Sequence, residues 1–224
     1  MKKNRFPALA AFAIALAFSA PALAGAYEDM EDALAHGDTG AVIALINRGM
    51  EVNTVDRRGN TLLIQSIQRD LPELFDYLMQ RRARINVRNR NGETALSIAA
   101  YLGRADYVRR LVEAGAELNF FGWPPLVYAA YNGHAEIVDY LIGRGAEVDA
   151  KTENGSTALF FAARFGHVEA VKALLKHRAD PNIVNDRDET AVDWALKGKN
   201  TDIESLLRAA GGRSGKAVSI ELAK

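Results

Sequence analysis

Apolar residues recur at helical spacing through most of the chain, in short runs that glycines interrupt. In the segment 93–119, Leu96, Ala99 and Ala100 fall on one helical face before Gly103. A second apolar face follows, made of Tyr107, Val108, Leu111 and Val112. Spacings of three and four residues predict amphipathic helices, and the glycine between them suits a left-handed turn. The pattern therefore predicts two short antiparallel helices.

This predicted helix pair is repeated along the chain. The segment 156–182 aligns with 93–119 without a gap, and the copy between the two is shorter. A fixed period of about 20 to 50 residues is typical of folds in which each copy packs on its neighbours. We place the copies at 25–55, 56–88, 89–121, 122–151, 152–184 and 185–212, followed by a flexible tail at 213–224.

The segments ETALSIAAYLGRADYVRRLVEAGAELN and STALFFAARFGHVEAVKALLKHRADPN resemble the ankyrin repeat, whose pattern runs roughly G-x-T-P-L-H-x-A-A-x-x-G-H-x-E-I-V-x-L-L-L-x-x-G-A-D-V-N. The resemblance extends over nearly all of the chain after residue 24. It implies an all-α ankyrin-repeat solenoid of about six helix-turn-helix copies with short β-hairpin fingers. It also implies a module that binds another protein.

The sequence departs from the family pattern at the start of each first helix. The histidine of T-P-L-H is replaced throughout, by Ile64, Ser97, Val127, Phe160 and Asp193. The threonine before it is kept as an expected helix cap at Thr61, Thr94, Thr157 and Thr190, and is Pro124 in the fourth copy. We therefore expect side-chain caps at four of these helices but not the histidine bridge of the family.

The N-terminus is typical of an exported protein. Lys2, Lys3 and Arg5 precede an apolar run over 8–18, and Ala22 and Ala24 suit cleavage before residue 25. The run is too short for a membrane span, which takes about 20 residues. We therefore interpret 1–24 as a cleavable signal peptide, with a retained anchor as the alternative. The expected location is a bacterial periplasm, with secretion beyond it as the second option.

Composition removes several classes of chemistry. The chain has 224 residues and no cysteine, which excludes disulfides, thiolate metal sites and cysteine nucleophiles. Its 28 basic residues equal its 28 acidic ones, and loss of 1–24 leaves a net charge of −3. This balance gives no electrostatic reason to bind nucleic acid or an anionic membrane. We expect a monomer that binds no cofactor.

The titratable residues indicate no catalytic site. His134 and His167 occupy the Gly-His position of the pattern, where the side chain serves the loop. The chain lacks paired-histidine metal motifs, the serine nucleophile elbow and a glycine-rich phosphate loop. An acidic run over 28–32 is favoured by the helix dipole without any bound cation. We therefore predict that the protein is not an enzyme.

Arginines are concentrated in the second copy and the finger that follows it. Arg57, Arg58 and Arg90 are the three that we expect at finger tips, where they would steer an acidic partner. A solvated surface balanced by acids elsewhere explains them equally well.

Aromatic residues are concentrated at the finger of the fourth copy, which has lost three residues. Phe120, Phe121 and Trp123 lie in this short finger. Tyr101, Tyr131 and Phe165 are expected at equivalent concave positions of the adjoining first helices. Rigid aromatic side chains commonly anchor protein interfaces, so we predict that these six residues bind the partner. The alternative is that the short finger folds back and its rings fill the gap.

These observations favour an accessory protein that protects or helps assemble an exported enzyme. An immunity-type inhibitor of a periplasmic toxin fits the same features, and an enzyme is the least favoured class. The alternation of apolar and polar residues over 218–222 is also compatible with a strand added to a partner.

Overall fold

The computed structural model describes the backbone of residues 20–216 and the side chains of residues 25–216. The predicted signal peptide therefore lies outside the described residues except for 20–24, which begin the first helix. The predicted strand at 218–222 lies outside them altogether. Within 20–216, none of the helices combines the length and the apolar character needed to cross a membrane.

Twelve α-helices make up the described part of the chain, and they follow one another in pairs. The first six are α1 (Ala20–His36), α2 (Thr39–Asn47), α3 (Leu62–Gln68), α4 (Pro72–Gln80), α5 (Ala95–Tyr101) and α6 (Ala105–Glu113). The last six are α7 (Pro125–Tyr131), α8 (Ala135–Gly143), α9 (Ala158–Phe165), α10 (Val168–Lys176), α11 (Ala191–Gly198) and α12 (Thr201–Ala209).

Two compact units divide the chain between Glu51 and Val52. In the first unit α1 and α2 pack on each other and bury Met30, Leu34 and Val42. Asp38 caps α2 by accepting a hydrogen bond of 2.9 Å from the N–H of Ala41.

The second unit contains the other five helix pairs, α3 to α12. Its first helices α3, α5, α7, α9 and α11 pack in that order, each on the next, and α6, α8, α10 and α12 form a second row. Leu111 of α6 and Leu174 of α10 are fully buried. The structure confirms the all-α ankyrin solenoid that the repeat pattern predicts.

The predicted caps are only partly formed. Thr61 and Thr94 each accept a hydrogen bond of 3.2 Å from the backbone N–H three residues later. At Thr190 the Asp193 carboxylate accepts the backbone N–H at 2.8 Å as part of a capping box, and the Thr190 hydroxyl oxygen lies 3.1 Å from the same carboxylate. The Thr157 hydroxyl is buried and has no hydrogen bond to any described residue, so this cap does not form.

Histidine side chains connect the turns of neighbouring copies. His134 Nε2 lies 3.0 Å from the carbonyl oxygen of Tyr101, and His167 Nε2 lies 2.9 Å from that of Tyr131. Each ring covers a glycine of the preceding copy so closely that a β-carbon there would clash with it. The histidines thus have the loop-bracing role that the Gly-His position predicts, and the last copy uses Asn200 in the same way.

The fingers are tight turns that hydrogen bonds join to one another. In the third copy the Asn89 N–H donates to the Glu93 carbonyl at 2.9 Å, and Arg90 N–H donates to the Arg58 carbonyl of the preceding finger at 3.0 Å. Extended pairing within residues 20–216 is limited to an isolated antiparallel bridge between Val55 and Thr61. The fingers therefore keep the hairpin connection but are too short for regular strands.

The beginning of the predicted flexible tail is bound to the last two copies. Arg213 N–H donates to Asn182 at 3.0 Å, and the Arg213 carbonyl accepts the Thr190 hydroxyl at 2.7 Å. Gly215 N–H donates to the Asp193 carboxylate at 2.6 Å. The packed domain therefore extends to at least Gly215, beyond the end that we predicted at residue 212.

Candidate partner-binding surface

The finger of the fourth copy is the one that breaks the regular pattern. Its buried Gly122 has φ 110°, and an added β-carbon would lie 3.0 Å from the Glu153 carboxylate of the next finger. Because three residues are missing, the chain turns back early and brings Trp123 over the first helices. Pro124 then occupies the cap position of α7.

Trp123 lies at the centre of a connected group of aromatic rings. Its ring centroid is 4.6 Å from that of Phe161, 5.5 Å from Tyr128 and 6.0 Å from Tyr131. Tyr131 extends the group to Phe165 at 4.6 Å and to Tyr101 at 6.2 Å. We call the seven rings the aromatic surface: Tyr101, Trp123, Tyr128, Tyr131, Phe161, Phe165 and Trp194, whose ring is 5.3 Å from Phe161.

The aromatic surface has a buried floor and exposed edges. Phe161 is only 5% exposed, whereas Tyr101 is 37% and Phe165 48% exposed. Trp123 is half-buried on the Phe161 ring. Trp123 therefore folds back into the gap of the short finger, as the alternative interpretation expects. The exposed edges of Tyr101 and Phe165 remain available to a partner.

The two finger phenylalanines lie apart from these rings. Phe121 is 78% exposed, the largest fraction among the exposed large apolar residues of the described chain. Phe120 is half-buried beneath Arg88, whose guanidinium carbon is 4.1 Å from its ring centroid. The structure thus brings Tyr101, Trp123, Tyr131 and Phe165 together and leaves Phe120 and Phe121 beside them.

The expected equivalence of Phe165 with Tyr101 and Tyr131 is wrong. Counting from the cap residue, the position of these tyrosines is Arg164 in the fifth copy, and Phe165 follows one residue later. Phe165 nevertheless reaches the aromatic surface because α9 continues for one residue more than α5 and α7.

Arg57, Arg58 and Arg90 are exposed at the fingers of the second and third copies, as predicted. Within the described residues none of the three side chains forms an ion pair. Arg58 and Tyr101 line one open cavity of about 240 Å³. Arg58 therefore borders the aromatic surface at Tyr101, and its positive charge is not neutralised by an ion pair.

Three members of the aromatic surface are absent from the sequence prediction. Tyr128, Phe161 and Trp194 share one repeat position, which is Ile98 in the third copy. Aromatic residues at the same position of three successive copies were the signal that would have identified them. Burial first, then the charge and the hydrogen bond of Glu93, raise the pKa of Tyr128 well above its ordinary value. Its hydroxyl is therefore a neutral hydrogen-bond donor at physiological pH.

The described residues contain no group of three or more histidine, aspartate or glutamate side chains placed to hold a metal ion. The carboxylates near the surface make local hydrogen bonds instead, such as that of 2.7 Å from Asn89 to Glu93.

Comparison with known proteins identifies related sequences. The family model described as ankyrin repeats (3 copies) matches residues 69–152 and 126–214. Neurogenic locus notch homolog protein 1 of Homo sapiens is 33% identical over 145 residues, which is 62% of this chain and 6% of that protein. Its Danio rerio counterpart is 35% identical over 126 residues, or 54% of this chain and 5% of that protein.

The ankyrin repeat domain-containing protein SAT10 of Stachybotrys chartarum is 30% identical over 95 residues, which is 42% of this chain and 5% of that protein. The chain thus spans a small fraction of these relatives, and what it shares with them is the repeat.

Proposed function

The chain belongs to the ankyrin-repeat family, a family of protein–protein interaction modules. On that premise we propose that it binds its partner through the aromatic surface and the exposed Phe121 of the short finger. Five of the six exposed large apolar residues in the described chain lie on first helices or on the short finger. They are Tyr101, Leu102, Phe121, Phe165 and Leu196. Such a concentration of exposed apolar residues marks an interaction site in a soluble domain.

The exposed arginine fingers add charge to this surface. Arg58 lines a cavity together with Tyr101, and Arg57 and Arg90 are exposed on the same finger and on the next one. Their positive charges would steer an acidic region of the partner into place. The aromatic edges would then supply most of the binding energy, because hot spots are typically aromatic or arginine residues with a dry centre.

Capture of partners from a periplasmic extract tests this surface. The double variant Phe121→Ala, Phe165→Ala removes two exposed rings, and we expect it to weaken partner binding by about 2 kcal/mol or more, the scale of a hot spot. Val55→Ala is the matched control, since Val55 is 44% exposed but lies outside the aromatic surface. Equal capture by both variants would contradict the assignment.

These two phenylalanines are better probes than Trp123. Trp123 packs on the buried Phe161, so Trp123→Ala would lower stability as well as affinity. Phe121 and Phe165 are exposed, and their loss is expected to leave the melting temperature nearly unchanged.

We further propose that the protein acts in a bacterial periplasm as an accessory that protects or helps assemble an exported enzyme. The basic start, the apolar run over 8–18 and the small residues at Ala22 and Ala24 support export. Intact-mass measurement of the periplasmic protein is expected to give a chain that begins at Gly25. A full-length protein recovered from the cytoplasm would contradict the location.

An immunity-type inhibitor of a periplasmic toxin is the second candidate, since it would use the same surface. The two differ in what binding does to the captured partner. An accessory raises the yield or lifetime of its partner, whereas an inhibitor abolishes the partner's activity at stoichiometric concentration.

A further inference from the structure

Glu93 and Glu189 occupy the same place in the third and sixth copies, one residue before the cap of a first helix. Each accepts a hydrogen bond from the asparagine that begins its finger. Asn89 Nδ2 lies 2.7 Å from Glu93 Oε2, and Asn185 Nδ2 lies 3.4 Å from Glu189 Oε2. The two sites therefore start from the same local geometry.

In the sixth copy the chain itself neutralises this carboxylate. The Lys197 ammonium forms an ion pair with Glu189 Oε1, and Trp194 Nε1 donates to Oε2 at 2.8 Å. Burial raises the pKa of Glu189, but the hydrogen bonds from Lys197 and Trp194 outweigh it and hold that pKa below its usual range. Both oxygens of Glu189 thus have strong donors.

In the third copy the corresponding donors are missing. Tyr101 stands where the sixth copy has Lys197, and Ile98 stands in place of Trp194. Glu93 Oε1 receives a single hydrogen bond, from the Tyr128 hydroxyl at 3.5 Å, and Glu93 forms no ion pair with any described residue. An ionised carboxylate has room for about four hydrogen bonds, so this oxygen retains capacity for a cation.

Two tyrosine side chains lie near Glu93: the Tyr128 hydroxyl, which reaches Oε1, and Tyr101, which lines the same cavity as Glu93. Tyr101 is 37% exposed, and its ring centroid is 6.1 Å from that of Tyr128 in an edge-to-face arrangement. Glu93, Asn91 and Tyr101 line the open cavity of about 240 Å³. A guanidinium group suits such surroundings, because it pairs with a carboxylate and stacks on aromatic rings.

We propose that Glu93, Tyr101 and Tyr128 form a binding site for an arginine side chain of the partner protein. The arginine takes the role at Glu93 that Lys197 has at Glu189. The inference rests on the proposed function only in assigning this arginine to the partner. Arg58 also lines the cavity and forms no ion pair with Glu93, so its positive charge opposes a bound cation. Glu153, which also acts on the Tyr128 hydroxyl, favours one.

Titration of the full chain with N-acetyl-arginine N-methylamide, followed by NMR, tests the site. We expect the Glu93 amide and the Trp123 indole signals to shift, with at least about tenfold weaker binding of the neutral citrulline analogue. Glu93→Gln is expected to weaken binding of the arginine probe at least about fivefold, because it removes a charge-assisted hydrogen bond. Glu189→Gln is the matched control and is expected to leave it unchanged.

A second variant transfers the arrangement of the sixth copy to the third. Tyr101→Lys places an ammonium beside Glu93, so we expect it to abolish binding of the arginine probe and to raise the melting temperature. Tyr101→Gln removes the ring without adding a cation. We expect it to weaken binding of the arginine probe without raising the melting temperature. Arg58→Gln is expected to strengthen binding, because it removes a like charge.

Equal binding of the arginine and citrulline probes, or equal effects of Glu93→Gln and Glu189→Gln, would overturn the site. A second result would also overturn the site: the Glu93→Gln variant captures the partner as well as the unaltered chain does, whereas the double variant Phe121→Ala, Phe165→Ala does not capture it. This result would not contradict the proposed function. If neither variant affects capture, both proposals are wrong.

Discussion

At the residue scale, contacts between a glycine and a histidine connect one copy to the next. Gly133 has φ 77°, a conformation that glycine adopts without strain, and the His167 ring lies directly over it. The ring reaches across to the Tyr131 carbonyl at 2.9 Å. The glycine is therefore required twice, once for its backbone conformation and once for the space that the histidine fills.

Two glycine substitutions separate these requirements. Gly115 has φ 86° and nothing within 4 Å of an added β-carbon, so Gly115→Ala is expected to cost only the left-handed strain of about 1 to 2 kcal/mol. Gly133→Ala would place its β-carbon 2.5 Å from His167 Nδ1 and break the hydrogen bond to Tyr131. The free energy of unfolding is therefore expected to fall by about 1 kcal/mol more for Gly133→Ala than for Gly115→Ala. Chemical denaturation measures both, and equal losses would show that the histidine contact contributes nothing.

Residue-scale prediction from the sequence succeeds where a position repeats and fails where an interaction depends on side chains that are distant in the sequence. The caps at Thr61 and Thr94 follow from residue type and place alone. The gapless alignment of 93–119 with 156–182 places Arg164 opposite Tyr101, so the sequence itself shows that Phe165 is one position further on. Only the contact of Phe165 with Tyr131 requires coordinates. The contrast between Glu93 and Glu189 depends on which side chains reach a carboxylate across the fold, so it requires coordinates.

At the element scale, each helix is stable only through its neighbours. The helices have seven to nine residues in most copies, shorter than an isolated helix needs to persist in water. Their apolar faces supply the missing free energy by packing in two rows, with residues such as Leu111 fully buried between helices. Stability is thus a property of adjacent copies rather than of single elements.

A matched pair of leucines tests this packing. Leu174 of α10 is fully buried, and Leu174→Ala is expected to lower the free energy of unfolding by about 2 to 5 kcal/mol. Leu196 of α11 is 48% exposed, and Leu196→Ala is expected to cost about 0.5 kcal/mol or less. Denaturant titration gives both values, and a small effect at Leu174 would mean that the helical phase of α10 is misassigned.

The short finger shows where element-scale prediction ends. Its lost residues are visible in the sequence, and they direct attention to Trp123. The sequence does not decide whether the rings fold inward or outward, because both outcomes satisfy the same spacing. In the structure the finger divides them, with Trp123 half-buried on Phe161 and Phe121 78% exposed.

At the scale of the whole molecule, a repeat array needs an end that covers its last apolar face. The repeat pattern predicts a domain that ends at residue 212. In the structure, hydrogen bonds also attach Arg213 and Gly215 to the last two copies. The bond from the Arg213 N–H to Asn182 repeats one that the internal copies also make, such as that from the Glu117 N–H to Asn86. The bonds to Thr190 and Asp193 could not be predicted from the repeat, because they depend on where the chain turns after Gly212.

Truncation tests whether this segment caps the array. A chain that ends at Gly212 loses the hydrogen bonds that Arg213 and Gly215 make to Asn182, Thr190 and Asp193. Such bonds contribute about 1 kcal/mol each, so we expect this chain to unfold several degrees below one that ends at Lys216. Gly215→Ala in the full chain is expected to act in the same direction, since its β-carbon would lie 1.8 Å from the Asp188 carbonyl oxygen. If both chains and this variant melt together with the unaltered protein, the array ends at residue 212 and the segment after it contributes nothing to stability.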